Sequence, residues 1–216
     1  MKKNYISNSS ESIRMFKSGW MEALSKVHFT VPLYIYVPVI IVFSVLSFRN
    51  DIGILPFAGF LFLGLFIWTI TEYFLHRYIF HFEPKSKWGL RLHFIFHGVH
   101  HDYPKDRKRL VMPPSASIPL AVAFYFLFYF IFPNKAYLYA FFPGFLIGYL
   151  IYDMMHYAMH HYNFKSTFWK KIKQHHMLHH YDDSTKGYGV SSALWDIILG
   201  SDFPKKKNET RQPANH

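Results

Sequence analysis

The chain contains no cysteine in its 216 residues. Disulfides and thiolate metal sites are thereby excluded, so any bound metal must be held through nitrogen or oxygen. The same absence leaves the redox compartment unmarked. Acidic residues are scarce as well: 13 Asp and Glu stand against 24 Lys and Arg, for a net charge of +11. Four long stretches, 31–48, 52–71, 115–132 and 136–152, have no charge of either sign. About 20 residues of helix cross a bilayer core of roughly 30 Å. Helices on the surface of a soluble domain keep a polar face, which these stretches do not. They are expected to be four membrane spans within a single domain. Residues 1–30 are polar and basic and lead to no cleavage-site pattern, so the first span is expected to act as the insertion signal.

The basic residues divide unevenly between the links. Five lie in 1–30, eight in 72–114 and nine in 153–216, while Arg49 and Lys135 stand alone in the other two links. If the spans alternate, the rich side is cytoplasmic by the positive-inside rule. The net charge is then a topology signal and an attraction to anionic lipid headgroups, and no nucleic-acid partner is expected. The chain is read as a cytoplasmic N-terminal segment (1–30), a membrane domain (31–203) and a disordered basic tail (204–216). The Asn208-Glu209-Thr210 glycosylation pattern in that tail would face the cytoplasm and stay unused. No repeat or low-complexity linker interrupts the chain.

Aromatic residues and histidine are abundant instead, with 24 Phe, 16 Tyr and 15 His. Most of the histidines fall into four groups in the two large basic segments. His76 and His81 stand in EYFLHRYIFH, and His97, His100 and His101 in HFIFHGVHH. His156 and His160 stand in YDMMHYAMHH, and His176, His179 and His180 in KIKQHHMLHH. On a helix, positions i, i+3 and i+4 lie within about 100° of one another. The two HxxHH patterns and the HxxxH pair therefore each present one face. His76 and His81, five apart, converge only if the helix ends or bends between them. All four groups leave the same ends of the spans, so they can meet at one surface of a four-helix bundle. A single metal takes four to six ligands, and ten imidazoles suit two metals. His161 and His175 lie off the shared faces and are left out. His93 shares the face of His97 and is assigned a supporting role, while His28 and His216 are read as surface residues.

A ligating imidazole usually donates its second N–H to a carboxylate or carbonyl. Glu72, four before His76, and Asp153, three before His156, are expected to supply this support. Asp102, Asp106, Asp182 and Asp183 follow the two HxxHH groups. Imidazole-rich sites favour borderline ions such as iron, zinc or copper. Beside a lipid-facing pocket, two such metals suit O2 activation for attack on an unactivated C–H bond. Tyr152, Asp153 and the basic run Arg107, Lys108 and Arg109 are candidates to hold the polar end of a substrate, Arg109 foremost.

From EYFLHRYIFH through HFIFHGVHH, RLVMPP, YDMMHY, KIKQHHMLHH and GYGVSSALWD, residues 54–200 resemble the fatty acid 2-hydroxylase family. That family lies within the membrane fatty acid hydroxylase and sterol desaturase superfamily. The resemblance implies a di-iron site on the same ten histidines and hydroxylation of C2 of an acyl chain, whether free, thioester or sphingolipid-linked. It implies O2 and two external electrons as co-reactants, and zinc can replace iron in a purified sample. Many eukaryotic relatives carry a cytochrome b5 domain with an HPGG motif. Residues 1–30 have neither, so a separate cytochrome b5-like protein or ferredoxin is expected to deliver the electrons. The fold expected is all-α: an integral membrane protein with four transmembrane helices and a cytoplasmic-facing, histidine-rich helical cap holding a dinuclear metal site. It would lie in the cytoplasmic membrane of a bacterium or the endoplasmic reticulum of a eukaryote, and residue usage leans towards the former. A sterol or carotenoid hydroxylase or desaturase is the near alternative. A metal transporter or haem protein is the distant one, since the central stretches of the spans lack His, Asp and Glu.

Overall fold

The computed structural model of the protein describes residues 6–204; Lys2, Lys3, His216, the Asn208 pattern and nearly all of the tail lie outside them. The described residues are helical with no strand, in nine α-helices. These are α1 (Gly19–Leu24), α2 (Val31–Arg49), α3 (Ile54–Phe74), α4 (Lys87–His93), α5 (Val99–Asp102), α6 (Pro114–Ile131), α7 (Lys135–His161), α8 (Thr167–Tyr181) and α9 (Leu194–Ile198). Two π-helical segments interrupt the α winding. Leu75–Phe80 continues α3, and Phe94–Gly98 joins α4 to α5.

Four of these helices are long and apolar enough to cross a membrane: Val31–Arg49, Ile54–Phe80, Pro114–Ile131 and Lys135–His161. Two of them outrun the charge-free stretches. At 1.5 Å per residue the 27 residues of α7 extend about 40 Å, longer than a hydrocarbon core of roughly 30 Å. The surplus carries His156 and His160 beyond the apolar part of the helix. α3 with its π-helical continuation does the same for His76.

The four spans are not two equal hairpins side by side. α7 is central and mostly buried, and α2, α3 and α6 pack around it with much of their surface facing outward. Lipid tails are as apolar as leucine, so spans associate where small residues let backbones approach. Gly64 on α3 and Gly144 on α7 provide that approach. A Cβ at Gly64 would collide with the Phe141 carbonyl, one at Gly144 with the backbone of Leu61, and one at Gly148 with the Trp68 ring. Around this contact Trp68, Phe128, Leu138, Phe141, Phe142, Phe145, Leu146 and Tyr149 form the main core. At the far end the Ser47 hydroxyl donates to the Ala136 carbonyl at 2.8 Å, tying α2 to the start of α7.

The short helices and the longer irregular segments gather at the opposite end, where α3 and α7 finish and α2 and α6 begin. There residues 7–27 lie against 102–109, with the Ser7 amide donating to Asp102 O at 2.8 Å and the Val27 amide to Lys108 O at 2.9 Å.

Filling the α3–α7 contact tests this arrangement. Gly144→Val is expected to cost about 3 kcal/mol or more, read as a lower thermal midpoint in detergent. Gly59→Ala, on the same α3 with open space around it, is expected to leave the midpoint unchanged or raise it slightly.

Candidate metal centre

Ten histidines meet at this end in two sets of five. His76, His81, His97, His101 and His179 form the first; His100, His156, His160, His176 and His180 form the second. Within each set one nitrogen per ring lies within 4.8 Å of the others. The sets adjoin, the His101 and His180 rings being stacked with centroids 4.2 Å apart.

Helix geometry explains the division. In each HxxHH pattern the second and third histidines point about 100° apart, so one pattern serves both sets. His97 and His101 enter the first set while His100 enters the second, and His179 enters the first while His176 and His180 enter the second. The pairs four apart stay together. His76 and His81 join the same set because the chain between them is π-helical, and the His81 amide donates to the His76 carbonyl at 3.1 Å. An i→i+5 turn stacks residues five apart, so the helix rewinds rather than ending.

The nitrogens crowd together in greater number than their protons could bridge as imidazole hydrogen bonds. His97 Nε2 lies 3.1 Å from His76 Nε2, 3.1 Å from His81 Nε2 and 3.0 Å from His101 Nε2. In the second set His100 Nε2 lies 2.8 Å from His156 Nε2 and 3.0 Å from His180 Nε2, and His160 and His176 approach to 2.9 Å. One nitrogen carries at most one proton. His76 and His179 are further constrained, because their Nδ1 atoms face the Tyr188 and Lys186 carbonyls at 2.5 and 2.6 Å. That bond needs the proton on Nδ1 and leaves the Nε2 lone pair turned inward. Nitrogens about 2.0–2.1 Å from one centre and at right angles would lie about 2.9 Å apart. The donor set therefore fits one cation per set, five imidazoles each. Burial, and then the neighbouring imidazoles, holds His97, His100, His101, His176 and His180 well below the usual histidine range. Burial likewise brings His179 down to about 4 against the opposing pull of the Lys186 carbonyl. All six are neutral near pH 7, the form that binds metal.

The support differs from what spacing suggested. Glu72 does not touch His76. Its Oε1 accepts from the Val190 and Ser191 amides, both at 2.8 Å, and its Oε2 from the Ser191 hydroxyl at 2.6 Å. It pins the segment whose Tyr188 carbonyl faces His76, and so acts one step removed. Asp153 likewise accepts from the Met112 amide at 3.1 Å and the Tyr149 hydroxyl at 3.0 Å rather than from His156. His93 lies outside both sets, with its buried Nδ1 unpaired by protein. His161 and His175 also stand outside, and His28 is exposed. Asp106 is turned towards Ser12 and Lys108, and Asp183 towards Thr185.

One contributor was missed. Asp196, fully buried, accepts from the Tyr188 amide through Oδ1 and the Gly189 amide through Oδ2, each at 2.8 Å, and from the Ser201 hydroxyl at 2.8 Å. With Glu72 it holds the 188–191 segment from both sides. The signal lay in GYGVSSALWD, where an acid closes an apolar stretch, but spacing alone does not reveal that Asp196 folds back on Tyr188.

A cavity of about 700 Å³ reaches the imidazoles of both sets, touching His97, His100 and His156. Tyr152 and Asp153 line it beside them, and its lining is otherwise mostly apolar. Arg109 also lines it, but its guanidinium is already taken up. Nη1 meets the Ser25 hydroxyl at 2.8 Å and the Ser25 carbonyl at 3.5 Å. Nη2 meets the Ile13 carbonyl at 2.6 Å and Glu22 Oε1 at 2.7 Å, and Nε faces Asp106 Oδ2 at 3.3 Å. Four N–H groups meet protein acceptors, and the fifth, on buried Nε, lies beside Asp106 without a hydrogen bond, so the guanidinium is committed to the protein rather than to a substrate carboxylate.

Comparisons with known proteins agree with this architecture. A family model, fatty acid hydroxylase, matches residues 61–201. The dihydroceramide fatty acyl 2-hydroxylase FAH1 of Arabidopsis thaliana is 37% identical over 193 residues, covering 88% of this chain and 80% of that protein. The ceramide very long chain fatty acid hydroxylase SCS7 of Saccharomyces cerevisiae is 38% identical, over 88% of this chain. The fatty acid 2-hydroxylase of Rattus norvegicus is 35% identical, over 93% of it. The chain spans only 50% of the yeast protein and 59% of the rat protein. A solved structure described as full-length scs7p, with only its hydroxylase domain visible, superposes with a TM-score of 0.82 at 35% identity. That match covers 88% of this chain and 72% of the other.

Asp196→Asn removes one of the acceptors that hold Tyr188 and Gly189. It is expected to weaken metal binding in the first set about 10–100-fold and to spare the second. Metal analysis of the purified variant should then fall from two ions per chain towards one.

Proposed function

The chain belongs to the fatty acid hydroxylase family, and on that premise we propose that it is a membrane monooxygenase that hydroxylates C2 of a fatty acyl chain. The observation that carries the reading is the junction of the two five-histidine sets with one apolar cavity. His76, His81, His97, His101 and His179 would hold one metal, and His100, His156, His160, His176 and His180 the other, with iron as the working metal and zinc able to replace it. Two irons, reduced by a separate electron-transfer protein, would supply O2 activation: one oxygen atom enters the C–H bond, and the other leaves as water with two electrons and two protons.

The chain's own residues do the rest. The Tyr188 and Lys186 carbonyls keep His76 and His179 in the tautomer that turns Nε2 inward. Glu72 and Asp196 hold the segment that carries the Tyr188 carbonyl. The apolar lining, with Leu75, Ile79, Phe80, Ile95 and Phe96 near the histidines, takes the acyl chain and keeps bulk water from the reacting carbon. Tyr152 and Asp153 stand where the chain's polar end would lie if C2 is presented to the histidines. The Tyr152 hydroxyl would donate to the substrate carbonyl, with the Asp153 carboxylate oriented beside it by Met112 and Tyr149. The relatives' names, dihydroceramide and ceramide hydroxylases among them, favour a sphingolipid-linked or very long acyl chain.

Among the described residues the basic segments adjoin the histidine end, which supports a cytoplasmic orientation of that end by the positive-inside rule. The host membrane would be the cytoplasmic membrane in a bacterium and the endoplasmic reticulum in a eukaryote.

Lipid mass spectrometry of an expressing strain tests the function. The wild type is expected to yield 2-hydroxy acyl chains and His97→Ala to yield none, its metal content falling from two ions per chain. A hydroxylated sterol or carotenoid in place of 2-hydroxy acyl lipid would overturn the proposal.

A further inference from the structure

The cavity has two long walls that differ in kind. One is α6, a membrane span, which contributes Ser115, Ala116, Pro119, Leu120 and Ala123. These residues recur at helical spacing and extend the cavity about 12 Å along the helix. A second wall is the N-terminal segment, through Met15, Phe16, Trp20, Met21 and Leu24, joined to α6 where the Ser115 hydroxyl donates to the Leu24 carbonyl at 3.1 Å. That segment lies outside the residues 61–201 matched by the family model.

The N-terminal wall is held mainly by polar ties. Its only helix, α1, has six residues, too few to be stable alone. The ties converge on Arg109, which is buried and bonds Ile13, Ser25 and Glu22 at both ends of the wall. Glu22 in turn accepts from the Met15 and Phe16 amides at 2.9 and 3.0 Å. Asp106, beneath Arg109, accepts from the Ser12 hydroxyl at 2.5 Å. Arg91 reaches the Met15 carbonyl from α4. Trp20, Met21 and Leu24 line the cavity and are also exposed, so α1 presents apolar side chains to both substrate and lipid, as an interfacial helix does.

We propose that residues 12–27 form a detachable wall of the acyl cavity, and that the clamp of Arg109 on Glu22, Ser25 and Ile13 determines which acyl chains are accepted. This rests on the acyl-hydroxylase reading above. Arg109 acts as a positioning residue through the wall, and Phe16 and Leu24 are the side chains that meet the chain. A loosened wall widens the cavity against α6 without moving a histidine.

The test compares wild type, Arg109→Met, Arg109→Lys and the double variant Phe16→Ala/Leu24→Ala. Three measurements are made on each in lipid nanodiscs: metal content, hydrogen exchange of residues 12–27, and the 2-hydroxy product distribution from a mixed series of saturated acyl substrates. Arg109→Met is expected to keep two metals and lose exchange protection over 12–27. Its preference for the best chain over longer ones should flatten about tenfold, through KM more than kcat. Arg109→Lys should restore part of the protection and of the selectivity. The double variant should shift the distribution towards longer chains with the clamp intact. An unchanged distribution in Arg109→Met despite lost protection overturns the proposal. If that variant loses its metals, the double variant decides: an unchanged distribution there overturns it. If the wild type makes no 2-hydroxy product, the acyl-hydroxylase reading fails instead. The wall is then judged by displacement of bound cis-parinaric acid across the same fatty acid series, and equal selectivity in wild type and the double variant overturns it.

Discussion

Imidazole nitrogens with inward lone pairs, packed about 3 Å apart, repel one another unless a cation lies between them. A scaffold that brings ten of them together must oppose that repulsion with rigid backbone. Much of the architecture answers this requirement. Two helices overrun the membrane and carry His76, His156 and His160 at their ends. A short helix on the surface, α8, brings His176, His179 and His180 to the same place. A π-helical segment ending next to His81 turns the first pair into alignment. A soft framework would let the rings rotate to satisfy their own hydrogen bonds.

Rigidity at the first set comes from one irregular segment held by two buried carboxylates. Glu72 rises from the end of α3, and Asp196 folds back from α9. Between them they accept from four consecutive backbone amides, Tyr188 through Ser191. The carbonyls of that segment and of Lys186 can then face the imidazoles with a fixed direction. Buried carboxylates are costly when unpaired, and each of these accepts three hydrogen bonds. Tyr73, through Ser201, and Trp195, through Thr69, join the same segment to α3. The membrane bundle and the histidine cap are thus joined through the end of α3.

The cavity lies where this rigid unit faces a softer one. On the histidine side it is walled by helix ends and π-helical turns, and along the membrane by α6. The remaining side is a polar-tied segment with an apolar underside. Glu22, although buried, is brought down to about 2 because Lys26, the Phe16 and Met15 amides and Arg109 outweigh the effect of burial. Its contribution to stability is present above the ordinary carboxylate range near 4.5 and is lost as pH falls towards 2. Glu22 is therefore ionised at physiological pH. The basic run that looked like a binding site for an anionic headgroup supplies, in Arg109, an internal anchor.

Much of this was legible in the chain itself. The absence of charge marks four spans because a bilayer tolerates little else, and the position of lysine and arginine orders their ends. The spacing of ten histidines marks them as a set, because helical periodicity alone decides which residues share a face. What spacing could not decide was how the set divides in two. His97 and His100 look like neighbours until tertiary packing places a separate partner set on each side of their helix. Nor could it foresee that His76 and His81 align by a π turn, that Glu72 and Asp153 bind backbone and tyrosine instead of histidine, or that Asp196 belongs to the site. Local periodicity is written in the sequence because it depends on residues a few positions apart. The partners of Glu72, Asp153 and Arg109 include segments roughly forty to one hundred and twenty residues away, and only the folded chain brings those together.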